Sequence, residues 1–240
     1  PVVVAGIFGS ISVVAANAWM NAPSGFILDS NGNVVDVDPI QVIFNPSMPW
    51  QAAHMLVAAY LVGGFLVASV YAVGMLKGRR DRYHYLGFVI AFTVGAIATP
   101  IQLGIGDGLA RWVYQNQPVK FAALELLPNT ESDAPETLLG HLNDNYTVSG
   151  GLPIPGLASW LSDPSTGKNT VVQGLASVPP DQRPTVRQVN IVHLCWDIMV
   201  GLGTALFLLA VWYAVSWIFR RRMPQTKWFL RAAVVAGPAA

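Results

Sequence analysis

From Pro49 to Leu76 not one residue carries a formal charge, and most are apolar. A helix needs roughly 20 apolar residues to cross the hydrocarbon core of a bilayer, and a soluble domain has little use for a longer uncharged run. Two further runs repeat the pattern. His84–Gly104 contains no Asp, Glu, Lys or Arg, and Asn190–Phe219 contains a single acid, Asp197. Pro100 predicts a kink near the end of the second. The opening run Pro1–Trp19 and the closing run from about Thr226 are also apolar but shorter. The expectation is an internal piece of a longer membrane protein, cut inside a helix at each end. Composition agrees, with 53% hydrophobic and 11% charged residues, against about 25% charged in soluble domains. The expected fold class is all-α: a polytopic bundle of transmembrane helices, three complete and two partial, with a long external loop.

Charge sets the orientation. Lys77, Arg79, Arg80 and Arg82 lie between the first two complete spans, and Arg220, Arg221, Arg222 and Lys227 follow the third. Both turns are short, so the excess of basic residues places them in the cytoplasm. The segment 21–48 holds Asp29, Asp36 and Asp38 without a Lys or Arg, and belongs outside. Alternation then runs without conflict. The chain divides into helices over 1–104, an external loop over 105–189, and helices over 190–240. The loop is far longer than connections in compact domains, and such loops are commonly functional. Short helices are expected at Pro118–Leu127 and Leu157–Leu161, with the rest irregular. A net charge of +1 leaves no nucleic-acid footprint. The lone Cys195 excludes an intrachain disulfide framework and a cysteine zinc site.

Few residues are equipped for chemistry. His54 lies inside a span, where a histidine is either a functional ligand or a helix–helix hydrogen-bonding group. His84 sits beside the basic turn and His141 in the loop. His193, near the outer end of the third complete span, is a ligand or a loop contact. Met199 lies in an apolar helix, where methionine ordinarily serves packing, but Gly201 and Gly203 leave room for a flat group. At ~1.5 Å per residue, His54 lies roughly 8 Å and Met199 roughly 14 Å below the outer surface. A His/Met pair is a known haem-iron ligation. Lys120 and Glu125 stand about 140° apart on a short helix. They are either a solvated surface pair or a site for a quinol headgroup, with Glu125 accepting a proton.

In order along the chain, these pieces resemble subunit I of the bacterial quinol oxidase cytochrome bd. Asn17-Ala-Trp19-Met-Asn-Ala-Pro23 is similar to the family's Asn-x-Trp-Met-x-x-Pro segment, and His54 follows at the family's distance. Gly106-Asp107 and Lys120–Glu125 resemble the opening of the quinol-binding Q-loop. Met199-Val-Gly-Leu-Gly203 resembles Met-Val-Gly-x-Gly, and Trp228-Phe-Leu230 the start of the next span. The resemblance implies that His54 and Met199 are axial ligands of haem b558, and that Lys120 and Glu125 contact quinol on the outer face. Supporting roles fall to Asn17, Trp19 and Asp107. It also implies haem b595 and haem d in the full complex, where oxygen becomes water, a second subunit, surrounding lipid, and residence in the bacterial inner membrane. The loop is the short form. One departure is Asp197, where many members carry Arg two residues before the methionine. Another is the absence of the first spans and of the Gly-Arg-Gln-Pro-Trp region, which hold residues associated with the high-spin haems. A transporter with a gating loop, or a b-type carrier ligated by His54 and His193, are the competing readings.

Overall fold

The computed structural model describes residues 2–240; Pro1 of the opening run lies outside the described residues. The chain forms two compact units, one of residues 1–106 and 209–240, the other of residues 107–208. Helices α4 and α7 contribute to both.

The first unit is helical. It contains α1 (Val2–Asn21), a small hairpin of β1 (Ile27–Leu28) and β2 (Val34–Val35), α2 (Pro39–Ile43), α3 (Met48–Leu76), most of α4 (Arg82–Asn116), the end of α7 (Val186–Arg220), and α8 (Lys227–Ala239). Local chemistry sets the boundaries. Helix α3 stops at Lys77 because Gly78 takes φ +92°, and Gly78 and Arg79 return their amides to the carbonyls of Met75 and Gly74. Asp81 then caps α4 by accepting from the His84 amide at 3.1 Å. Between α3 and α4 the backbones touch. A Cβ built on Gly64 would lie 2.5 Å from the Gly95 nitrogen, so only glycine allows this approach. Phe65, Phe88, Phe92, Tyr213 and Phe229 fill the centre, with Phe92 4.7 Å from the Tyr213 ring and 5.3 Å from that of Phe229.

Among the described residues, four helices are long and apolar enough to cross a membrane: α1, α3, α4 and α7. The long apolar runs anticipate three of them. The opening run, expected to be partial, is a 20-residue helix, which meets the length of a crossing, whereas α8 has 13 residues. Helix α4 also continues past Gly104 to Asn116, across Pro100. Its extension is tied by an Asp107–Arg111 ion pair of 2.7 Å at helical spacing.

The second unit shows that the long loop is folded. After α4 come α5 (Pro118–Leu124), an antiparallel hairpin of β3 (Glu136–Leu142) and β4 (Val148–Ile154), α6 (Leu157–Ser162), three single 3₁₀ turns, and the first part of α7. The sequence predicts irregular chain between the two short helices, and the hairpin occupies the later part of that segment. Phe121, Leu126, Leu127, Leu142, Leu175 and Val189 anchor one apolar core. The buried Ser159 hydroxyl accepts from the Ala134 amide at 2.9 Å and donates to the Thr170 carbonyl at 2.8 Å. Two points dock the hairpin on α7. The Asn190 amide exchanges two hydrogen bonds with the Leu142 backbone, at 2.7 and 2.9 Å. Asp197 accepts from the Leu139 amide at 2.6 Å.

Candidate functional site: a buried carboxyl cluster in the folded loop

The docking contact at Leu139 begins the site. Along the hairpin Leu138 pairs with Leu152 and Gly140 with Gly150, but Leu139 takes φ +58°, opposite Gly151 at φ +75°. A residue in this left-handed conformation turns its amide out of the ladder. The freed Leu139 amide meets the Asp197 carboxylate, so the aspartate carries part of the strain of the strand. Gly140 brings β3 onto the end of α5: a Cβ there would lie 2.8 Å from the Thr137 side chain and 2.9 Å from that of Leu126.

Three segments thus converge: the end of α5, the start of β3, and one face of α7. They bury four ionisable side chains. Glu125 is 4% exposed, Glu136 7% and His193 0%, and Asp197 is buried beside them. The His193 Nδ1 lies 2.6 Å from the Leu124 carbonyl. A carbonyl only accepts, so Nδ1 carries the proton. The other nitrogen, Nε2, lies 3.3 Å from Asp197 Oδ2, short of hydrogen-bond alignment. Burial drives the Glu125 carboxyl well above the ordinary carboxylate range, and the neighbouring acids Glu136 and Asp197 add to this. Among the described residues, one Glu125 oxygen, Oε2, has no hydrogen-bond partner. Lys120, earlier on α5, is exposed at the surface, and partial desolvation holds its ammonium below the usual range. Among the described residues no ion pair joins it to Glu125.

The remaining site residues expected from the sequence are elsewhere. His54 is half-buried on α3, in the first unit, with Gly106 beside its ring; a Cβ there would stand 3.8 Å from Nε2. It makes no hydrogen bond among the described residues. Met199, in the second unit, is 48% exposed, and a Cβ on nearby Gly201 would meet nothing within 4 Å. Imidazole and thioether are donor types found on haem iron, and among the described residues neither side chain has a hydrogen-bond partner. His193, the competing ligand, has Nδ1 bonded to Leu124 and Nε2 turned toward Asp197. Asn17 donates to Gln51 at 3.0 Å and Trp19 to the Ser24 carbonyl at 2.9 Å, which fixes the end of α1. Asp107 is held by Arg111.

Glu136 is invisible to the sequence patterns. It lies in a stretch without hydrophobic periodicity, so no face can be assigned to it. A signal does exist for its neighbours: a lone acid in an apolar helix, four residues after a histidine, requires partners.

The apolar helices and the folded insert, with its buried ionisable groups, define an integral membrane subunit of several spans. All of residues 1–240 match the family model of cytochrome bd terminal oxidase subunit I, and the chain belongs to that family. It is 32% identical over 245 residues to a putative cytochrome bd menaquinol oxidase subunit I of Bacillus subtilis, covering 99% of this chain and 53% of that one. Over 185 residues it is 28% identical to a cytochrome bd-II ubiquinol oxidase subunit 1 of Escherichia coli, covering 76% and 36%. The solved bd oxidase of Geobacillus thermodenitrificans superimposes with a TM-score of 0.86 at 33% identity, covering 98% of this chain and 53% of that chain. The chain spans about half the length of these Bacillus and Geobacillus relatives.

Proposed function

We propose that this chain is the quinol-oxidising and low-spin-haem portion of a cytochrome bd-type quinol:oxygen oxidoreductase. The observation that carries the proposal is Glu125: a carboxyl at the family's Q-loop position, almost wholly buried, and held by its surroundings with a high proton affinity. A base of this kind takes a proton from a quinol hydroxyl near neutral pH, where an exposed glutamate is too weak. Lys120 supplies a positive charge on the same short helix, which orients the headgroup and favours the developing quinolate. The packed second unit holds Glu125 in place and excludes water from its carboxyl.

His54 and Met199 would hold haem b558, which supplies one-electron acceptance at a raised potential when bound. In the full complex the electrons continue toward oxygen reduction to water, with haem b595, haem d and subunit II taking part. The basic turns support an orientation with the Q-loop on the outer face of the bacterial cytoplasmic membrane, so that quinol protons are released outside. Membership of the oxidase family sets the transporter reading aside. The contacts of His193 with Leu124 and Asp197 disfavour the bis-histidine carrier.

The test is Glu125→Gln in the whole complex. Quinol oxidation is expected to slow by about 10²–10⁴-fold, with the low-spin haem spectrum kept. Normal turnover would overturn the assignment.

A further inference from the structure

We propose that His193 is a positioning residue for the reaction: through its Nδ1–H it locks the peptide plane that carries Glu125, so that the carboxyl meets a quinol hydroxyl in one fixed place. This rests on the quinol-oxidising reading above and adds to it a residue that touches no substrate.

Helix α5 ends under strain beside Glu125. Leu126, the next residue, takes φ +55°, a left-handed conformation that favours glycine. The Leu127 amide returns to the Ala122 carbonyl at 2.9 Å and the Glu125 amide to the Phe121 carbonyl at 3.0 Å, which closes the helix. The Leu124 carbonyl is among the last carbonyls, which have no acceptor role inside the helix. His193 Nδ1 meets it at 2.6 Å. That carbonyl and the Glu125 amide belong to one planar peptide unit. Its oxygen is thus held by α7 and its nitrogen by α5, so the plane cannot swing and the Glu125 side chain leaves it in a fixed direction. His193 is 0% exposed, and its Nε2 lies 3.3 Å from Oδ2 of Asp197, which in turn accepts from the Leu139 amide. One face of α7 therefore holds two walls of the site. Asn190 and Asp197 hold β3, and His193, between them at helical spacing, holds the end of α5.

Proton transfer is sensitive to where the base stands, and an error of 1 Å can cost about 10²-fold. Among the described residues Glu125 Oε2 has no hydrogen-bond partner, so that oxygen takes its place from the backbone that His193 fixes. His193 neither gives nor takes the quinol proton; its own proton stays on Nδ1, against the Leu124 carbonyl. The geometry also says which replacements can do its work. An asparagine carboxamide puts an N–H close to the Nδ1 position, whereas a glutamine puts its amide near Nε2, toward Asp197 and away from Leu124. Leucine offers no donor at all.

The test compares His193→Asn, His193→Gln and His193→Leu in the purified whole complex, with quinol as substrate. In the glutamine and leucine variants kcat and kcat/KM are expected to fall together by about 10–10²-fold, with the low-spin haem spectrum unchanged. His193→Asn should stay within about threefold of the parent. Added to Glu125→Gln, His193→Leu should cost no more than about a further twofold, because it acts through a group already removed. Parent-like turnover of the glutamine and leucine variants overturns the inference, as does an asparagine variant as slow as leucine, or a full additional loss in the Glu125→Gln background. Any of these beside a slow Glu125→Gln leaves the quinol site standing, whereas normal turnover of Glu125→Gln removes both. If the glutamine and leucine variants fail to assemble, His193→Asn decides. It must assemble and turn over, and the histidine ¹⁵N signal it removes from the parent's spectrum must be that of a protonated Nδ1; failure of either overturns the role.

Discussion

Asp197 shows how one side chain can be legible in kind and hidden in role. In the sequence it is a lone acid in an apolar helix, a group able to hydrogen-bond nearby. It does so, to Leu139 and beside His193. Asp197→Asn should preserve the bond to the Leu139 amide, whereas Asp197→Ala should leave that amide unpaired at a cost of about 1–3 kcal/mol. Hydrogen exchange at Leu139 distinguishes the two: slow in the first variant, fast in the second. The neighbouring Glu125 makes a pH prediction. Its folded-state proton affinity is raised by burial and by Glu136, so its contribution to stability is full below the unfolded value and is lost as pH rises through the folded one. Protection of α5 and β3 should therefore weaken on alkalinisation in the parent, after correction for intrinsic exchange. Glu125→Gln should abolish that dependence. At Met199, replacement by Leu keeps volume and apolarity, with a packing cost below about 1.5 kcal/mol. Folding should survive, while the low-spin haem spectrum and midpoint potential change; an unaltered spectrum would remove Met199 from the ligand set.

Among the elements, those built by short-range rules are legible in the sequence. Helices α3, α4 and α7 follow from long apolar runs, and α5 from Pro118 at its first turn. The extension of α4 is hidden because Gly104, Gly106 and Gly108 look like a helix end, yet neighbouring structure overrides so weak a preference. The hairpin of β3 and β4 is hidden for a different reason. Its strands contain Gly140, Gly150, Gly151 and Pro153 and show no alternation, and its anchors, Asn190 and Asp197, lie far along the chain on α7. The burial of Glu136 depends on that hairpin and is hidden with it. Gly151 tests the element directly. A side chain there suffers φ +75° and a Cβ 2.7 Å from the Leu138 carbonyl, so Gly151→Ala should destabilise the hairpin by about 1–3 kcal/mol, read as faster exchange across β3. An unchanged exchange pattern would mean the strand register is wrong.

For the molecule as a whole, orientation is the property most exposed to experiment. The basic turns at Lys77–Arg82 and Arg220–Lys227 are expected in the cytoplasm, and the folded loop outside. In intact cells, a cysteine placed at Gly150 should react with an impermeant maleimide and one at Gly78 should not. The reverse pattern would overturn this orientation and, with it, the proposed outer-face quinol site. The left-handed turn at Leu139 has a practical corollary for chimeras. Its backbone is held by a carboxylate on a helix 58 residues away in the chain, so the loop cannot be exchanged as a self-contained cassette. A graft taken up to Thr185 and joined to a host helix with arginine at the position of Asp197 would arrive without its anchor. Carrying the start of α7, through Asp197, along with the loop is the smallest transplant that keeps it.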